Sequence, residues 1–378
     1  MKLCVFPNDA LTSYFKKGEI KQEYFNPSNY FSEVHIISLF EEEIKIDQIQ
    51  SMSGNAELKI HILGKVNLRN YKKIEPEVLD IIQQIKPDLI RSYNPLIQGW
   101  IATQASKKLK IPHIISLHTN YDQQRKLHKI QNGILQYIKV NYLWKKLEKF
   151  TIKNADAVIC VYEYIVPYAK KNNAKNIFKI YNKVDLKKFS SSGKKKFEKS
   201  IPTIISVGRL IDQKDHSLII KAIKNLNVNL IIIGDGPNYQ KLLDYINENQ
   251  LQNKVEIIKK IPNEELPNYY RSCQIYAQPL KDLDGIPIPV LEAMACGLPI
   301  IMSKHDEDYS EIIDSSVIYV ENNSKQFEQV IHRLLNDQKF FVEMKEKSQK
   351  IINEISGDVM NKKEIQLYNE LIKTKKPE

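Results

Sequence analysis

The sequence predicts an α/β protein built from two doubly wound domains, and three observations carry that prediction. The 378 residues exceed what one ordinary domain holds, roughly 100–200 residues. Short, nearly continuous apolar runs alternate with longer amphipathic segments, the pattern of parallel strands covered on both faces by helices. The alternation breaks once, at Ser190-Ser191-Ser192-Gly193-Lys194-Lys195-Lys196, and then restarts. Small, polar and charged residues in a row read as a linker.

The elements follow in chain order. Residues 3–6, 34–40 and 60–63 read as strands, 76–85 as a helix opened by Pro76, and 89–92 as a strand. A helix over 96–109 leads to a strand at 113–117. Residues 124–154 form a long basic helical stretch with a candidate break at Gly133, followed by strands at 158–161 and 177–180. After the break come strands at 203–207, 230–234, 255–258, 275–277, 299–302 and 317–320. Helices over 217–226, from 238, from 264 and over 290–296 separate them. Amphipathic helices over 325–335, 339–355 and about 359–374 close the chain. The expected division is a first domain over 1–188, a linker over 189–200, a second domain over 201–355, and a final helix over 356–378.

Composition narrows the classes. A hydrophobic fraction of 42% and a charged fraction of 27% are ordinary for a globular chain. The net charge of +11 favours anionic partners such as nucleotide phosphates, nucleic acid or an anionic membrane, or is a bias of a Lys-rich chain. No zinc finger or RNA-recognition motif accompanies it, so nucleic acid is not expected. The cysteines at 4, 160, 273 and 296 have no metal-type spacing and mostly sit in or beside apolar runs, as reduced buried thiols do. No run approaches the roughly 20 apolar residues of a membrane-spanning helix. The apolar run at 3–6 is too short for a signal peptide. The expected location is the cytoplasm, with peripheral membrane contact left open.

Three segments carry chemistry. From Asp282 the chain reads Asp-Leu-Asp-Gly-Ile-Pro-Ile-Pro-Val-Leu-Glu-Ala-Met-Ala-Cys-Gly-Leu-Pro-Ile. Asp284 precedes a turn at Gly285, Ile286 and Pro287, a helix starts near Pro287 or Pro289, and Glu292 falls on its first turns. Such a turn aims backbone N–H groups, near Ile288, and a positive helix end outward, which suits a diphosphate. The two carboxylates can accept hydrogen bonds from sugar hydroxyls. An ordinary capped helix fits the same pattern equally well. The second segment, Val207-Gly208-Arg209-Leu210-Ile211-Asp212-Gln213-Lys214, follows a strand, where Gly208 permits a tight turn and Arg209 and Lys214 can pair with phosphate oxygens. The third runs from a strand into Gly234-Asp235-Gly236-Pro237. It lacks the three-glycine dinucleotide fingerprint and the Gly-Lys-Ser/Thr of a nucleotide-triphosphate loop; a tight strand-to-helix turn explains it at least as well.

Together these segments resemble family 4 of the retaining glycosyltransferases. Gly208-Arg209-Leu210 with Lys214, the strand ending in Gly234 to Pro237, and Asp284 seven residues before Glu292, followed by Ala293-Met294-Ala295 with Gly297 and Pro299, each match a family motif. The resemblance covers roughly residues 177–300. Tyr181-Asn182-Lys183-Val184-Asp185 with Phe189, the strand from Asp156 to Val161, and His118 after Ser116 and Leu117 are softer matches. It implies the GT-B fold, two Rossmann-like domains facing across a cleft, and transfer of a sugar from a nucleotide-diphosphate donor to a glycan or lipid-linked acceptor, with retention and without a metal or other cofactor. It further implies Asp284 and His118 as sugar-contacting catalytic residues. Gly208, Arg209, Lys214, Gly236, Gly285, Ile286, Ile288 and Glu292 become donor-binding residues. Cell-surface polysaccharide or glycolipid synthesis is the expected setting; a binding subunit of the same fold without turnover is the alternative.

The chain departs from the family at several places. Asp284 stands where Glu is commoner. Ile286-Pro287 replaces Phe-Gly, and Pro287 and Pro289 each remove a backbone donor. Lys183 replaces a Gly, and Phe6 leads into Pro7-Asn8-Asp9 rather than a glycine-rich loop. Asp282-Leu283-Asp284 also matches the Asp-x-Asp of metal-dependent enzymes, but acidic triplets are common and Asp306-Glu307-Asp308 is a second one. Finally, residues 125–153 interleave Arg125, Lys126, Lys129, Lys139, Lys145, Lys146, Lys149 and Lys153 with Tyr137, Tyr142, Leu143, Trp144 and Phe150. Two readings stay open: an anionic-bilayer contact, or a solvated Lys-rich helix with its aromatics in the core.

Overall fold

The computed structural model describes residues 1–18, 20–128, 134–281, 285–304 and 310–375. They form two compact units, Met1–Tyr181 with Met360–Glu378, and Asn182–Val359.

The first unit runs β1 (Lys2–Phe6), α1 (Leu11–Lys17), β2 (Glu33–Ser38), β3 (Glu57–Ile62), α2 (Tyr71–Ile85), β4 (Leu89–Ser92), α3 (Ile97–Leu109), β5 (His113–Leu117), α4 (Tyr121–His128), α5 (Ile134–Asn154), β6 (Ala157–Cys160), α6 (Val166–Lys171) and β7 (Ile177–Lys179). Its seven strands are parallel in the order β3-β2-β1-β4-β5-β6-β7. Cys4, Phe6, Ile37 and Ile90 face Val78, Ile82, Trp100 and Ile101, so α2 and α3 cover one side of the sheet with apolar stripes.

The second unit runs β8 (Thr203–Val207), α7 (His216–Ala222), β9 (Asn229–Ile233), α8 (Tyr239–Glu248), β10 (Val255–Ile258), α9 (Leu266–Ser272), β11 (Ile275–Gln278), α10 (Ile288–Ala295), β12 (Ile300–Ser303), β13 (Val317–Val320), α11 (Ser324–Asn336) and α12 (Gln338–Glu354). Its strands are parallel in the order β10-β9-β8-β11-β12-β13. In both units the order reverses beside the first strand, which opens a crevice at the strands' C-terminal ends, the ligand position of doubly wound sheets. The core of the second unit joins Ile204, Ile232 and Ile275 to Ile219, Phe327 and Ile331.

The last helix, α13 (Gly357–Lys375), is held from Met360 onward in the first unit. Its Glu364 pairs with Arg91 of β4, and both are buried. Arg91 also donates to Ser116 Oγ at 3.1 Å and lies 4.7 Å above the Tyr93 ring. Burying a charge demands such partners, so this network anchors α13.

Three local expectations change. Helix α2 starts at Tyr71 and keeps Pro76 inside it. Asn67 and Asn70 shape the preceding turn, and Tyr71 packs edge-on against Trp100 at 4.9 Å, which holds the first turn despite the missing N–H. The polar stretch 190–196, expected as a linker, is tied to α9. Arg271 Nε donates to the Lys194 carbonyl at 2.9 Å and its Nη1 to that of Ser190 at 3.2 Å, while Ser272 Oγ accepts from the Lys196 amide at 2.8 Å. Arg125 is not a surface cation: it pairs with buried Glu148 and with Asp122. The candidate break at Gly133 lies outside the described residues. Among the described residues no helix is long and apolar enough to cross a membrane.

Candidate functional site

In the second unit the crevice lies between the C-terminal ends of β8 and β11. The chain leaves β8 at Gly208, and the Gly208 amide donates to the Ile233 carbonyl at 3.0 Å. Arg209 is exposed and makes no ion pair among the described residues. A single tight turn over Asp212–Lys214 then places half-buried Lys214 at its end. The Lys281 amide, beyond β11, donates to the Gln213 carbonyl at 2.9 Å. That bond joins the Gly208–Lys214 segment to the segment leading into α10, so two motifs far apart in sequence share one rim.

Helix α10 begins at Ile288 with Pro287 as its N-cap. Pro289 has no N–H, and the Val290 amide donates to the Pro287 carbonyl at 2.9 Å. Of the first three helical positions this leaves the Ile288 N–H without a backbone partner among the described residues, at the positive end of the helix. Gly285 has φ +88°, a conformation that favours glycine, and it swings the chain into the helix. Ile286 is buried, so its side chain anchors this turn in the core. Glu292 sits one turn into α10, half-buried, and accepts a 3.1 Å hydrogen bond from Tyr270 Oη. Tyr270 is fully buried, and burial together with the Glu292 carboxylate raises its hydroxyl well above the usual range. It therefore stays a neutral donor that orients Glu292. Sequence reasoning passed over Tyr270, because Pro267-Asn268-Tyr269-Tyr270 reads simply as a helix. Asp284, with Asp282, Asp306, Glu307 and Asp308, lies outside the described residues.

The glycines of the third segment allow close backbone packing. A Cβ on Gly234 would meet the Gly208 carbonyl at 1.9 Å, and one on Gly236 would meet the Leu210 carbonyl at 2.5 Å. The loop thus lies directly on the Gly208–Leu210 backbone, and the Leu210 amide bonds to the Asp235 carbonyl at 2.9 Å. The Gly236 amide is occupied by Asp235 Oδ1 at 2.8 Å. Its contribution is to brace the Arg209 loop by close approach.

His216 stands under this rim at the start of α7. Its Nδ1 is 3.2 Å from Ser206 Oγ, and burial lowers its pKa to about 4. The unfolded chain titrates near 6.5, so between these values it binds more protons than the folded chain. Stability should fall as pH drops from about 6.5 to about 4, by on the order of 3 kcal/mol for this group. His118, held at about 4 chiefly by burial, acts in the same direction. Melting temperature against pH checks this; His216→Gln should flatten the acid limb, and an unchanged limb would refute the assignment.

In the first unit, His118 follows β5 and stacks on Tyr93 with centroids 5.9 Å apart. Its Nε2 has no hydrogen-bond partner among the described residues. It borders a basin of about 870 Å³ at the crevice of that sheet, lined also by Asn8, Asp9, Arg69, Asn94 and Trp144. The Pro7-Asn8-Asp9 turn thus edges a cavity although it carries no glycine.

Both halves of the chain are similar to known proteins. Residues 187–351 match the family described as Glycosyl transferases group 1, and residues 33–188 match Glycosyltransferase Family 4. An uncharacterized glycosyltransferase of Methanocaldococcus jannaschii is 27% identical over 261 residues, 68% of each chain. A GDP-mannose-dependent alpha-(1-6)-phosphatidylinositol monomannoside mannosyltransferase of Mycolicibacterium smegmatis is 27% identical over 124 residues, 30% of this chain and about a third (32%) of that enzyme. Among solved structures, Anabaena HepE in complex with UDP and glucose superposes with a TM-score of 0.72 at 13% identity, covering 98% of this chain and 99% of that one. At that identity the likeness speaks of the fold.

Proposed function

The chain belongs to the group 1, family 4 glycosyltransferases and has two Rossmann-like units of the GT-B type, and from that premise we propose that it moves a sugar, with retention, from a nucleotide-diphosphate donor to a glycan or lipid-linked acceptor. The observation that carries the proposal is the rim of the second unit, where the segment bearing Arg209 and Lys214 is bonded through Gln213 to Lys281 at the end of the β11 segment. Departure of the diphosphate builds negative charge at its oxygens. Arg209, Lys214 and the Ile288 N–H are donors suited to that charge, and stabilising developing charge is usually the largest single contribution to rate in such steps. Glu292, oriented by Tyr270, accepts from the ribose hydroxyls. Asp284 takes the hydroxyls of the transferred sugar, and the family resemblance assigns His118, kept neutral by burial, a hydrogen-bonding role in the first unit.

HepE carries UDP and glucose in its crystal structure, and the mycobacterial relative is named for a GDP-mannose donor and a phosphatidylinositol-linked acceptor. These support a nucleotide-sugar donor, and the second supports a lipid-linked acceptor. A panel of UDP-, GDP- and ADP-sugars tested by thermal shift identifies the donor, since tight binding raises the melting temperature by mass action. No shift with any of them refutes the donor site; a shift without transfer or donor hydrolysis assigns the chain to the binding-subunit alternative.

In this reading two cations do the work a metal does elsewhere. Transfer should therefore survive EDTA undiminished. Loss of activity on chelation, restored by Mg²⁺ or Mn²⁺, would place a metal at Asp282 and Asp284 instead.

A further inference from the structure

One surface of the first unit is unused by the donor chemistry. On α5, at 3.6 residues per turn, positions 138, 142, 145, 146, 149 and 153 fall on one stripe. Ile138 is 57% exposed and Tyr142 68%. The lysines at 145, 146, 149 and 153 are exposed too. The single acidic residue of α5, Glu148, is off this stripe, buried against Arg125 and Tyr168. Leu147, on the opposite side, belongs to the core; Trp144 packs against that core and also lines the basin. A second aromatic–lysine set sits on α1, where Phe15 is 45% exposed beside exposed Lys16 and Lys17. That helix follows the Asn8–Asp9 turn at the edge of the same basin.

We infer that this stripe docks the protein on an anionic lipid bilayer, a docking independent of the acceptor's identity. The docking does not rest on the transferase reading above. Large apolar side chains held out in water gain by entering the acyl boundary, while neighbouring lysines reach the anionic headgroups. Protein partners fit this surface less well, because lysine is depleted from the cores of protein interfaces. Trp144 joins the two features: the helix that faces the lipid on one side walls the basin on the other.

Co-sedimentation of the full chain with vesicles tests this. Binding to phosphatidylcholine vesicles containing phosphatidylglycerol at low salt is expected, with little binding to phosphatidylcholine alone or at high salt. The Lys145→Gln/Lys146→Gln/Lys149→Gln variant should bind on the order of a hundredfold more weakly, and Ile138→Ser/Tyr142→Ser at least about tenfold. Both should keep the wild-type melting temperature and the same UDP- or GDP-induced shift. Absence of vesicle binding by the wild type, or variants that bind as well as it does, overturns the inference. So does a wild-type dimer that Ile138→Ser/Tyr142→Ser converts to a monomer, since the stripe would then face a second copy. Nucleotide binding without vesicle binding overturns only this inference, and vesicle binding without nucleotide binding overturns only the donor reading.

Discussion

Alanine at Lys214 and alanine at Glu292 should each weaken nucleoside-diphosphate binding by roughly ten- to a hundredfold. Each removes a charge-assisted hydrogen bond at the rim of the second unit, and such bonds contribute about 1.5–3 kcal/mol. The double variant should bind too weakly to measure if the two act on different parts of the ligand, diphosphate and ribose. Tyr270→Phe should lose less, about fivefold, because it only orients Glu292 through the 3.1 Å hydrogen bond. Titration calorimetry with UDP and GDP decides each case. A variant that binds as tightly as wild type removes its residue from the site. Glu292→Ala also leaves buried Tyr270 Oη without that acceptor, so a loss of about 1 kcal/mol in stability should accompany it.

Two glycines on the same rim should behave in opposite ways. Gly234→Ala forces a Cβ to within 1.9 Å of the Gly208 carbonyl, a backbone atom that cannot swing aside. The two loops must separate, which costs about 3 kcal/mol or more and displaces Arg209 with them. Gly208→Ala meets nothing nearer than 4.0 Å, at Gln278 Oε1 and His216 Nε2. It should fold with nearly wild-type stability, yet its methyl enters the space assigned to the diphosphate and should weaken nucleotide binding. Thermal melting with nucleotide titration separates the two. If Gly234→Ala melts with the wild type, the packing account of the Gly-Asp-Gly-Pro loop is wrong; if Gly208→Ala binds UDP and GDP as wild type does, the ligand lies elsewhere.

Period and punctuation alone determined the two doubly wound units, because buried parallel strands must be continuously apolar and their covering helices must repeat at 3.6 residues. The first chemical segments were legible for the same local reason: a glycine after a strand and a proline-opened helix are backbone statements that need no partner. Short elements were not legible. Helix α1 spans only seven residues, too few to show a period, and α2 keeps Pro76 inside because Tyr71 has Trp100 to pack on. Polarity marked 190–196 as a linker but could not show its ties to α9, since the carbonyls that Arg271 binds carry no sequence signal. The same limit hid Tyr270, whose part depends on a carboxylate from another helix. It also hid the Leu210 carbonyl that a side chain at Gly236 would meet. On α5 the sequence supplied the basic and aromatic residues, but only tertiary packing divided them. Trp144 and Phe150 pack against the core, Arg125 pairs with buried Glu148, and Ile138 and Tyr142 are left to water. Pattern records what a residue does to its own backbone; which distant group it meets is settled by the free energy of the packed whole.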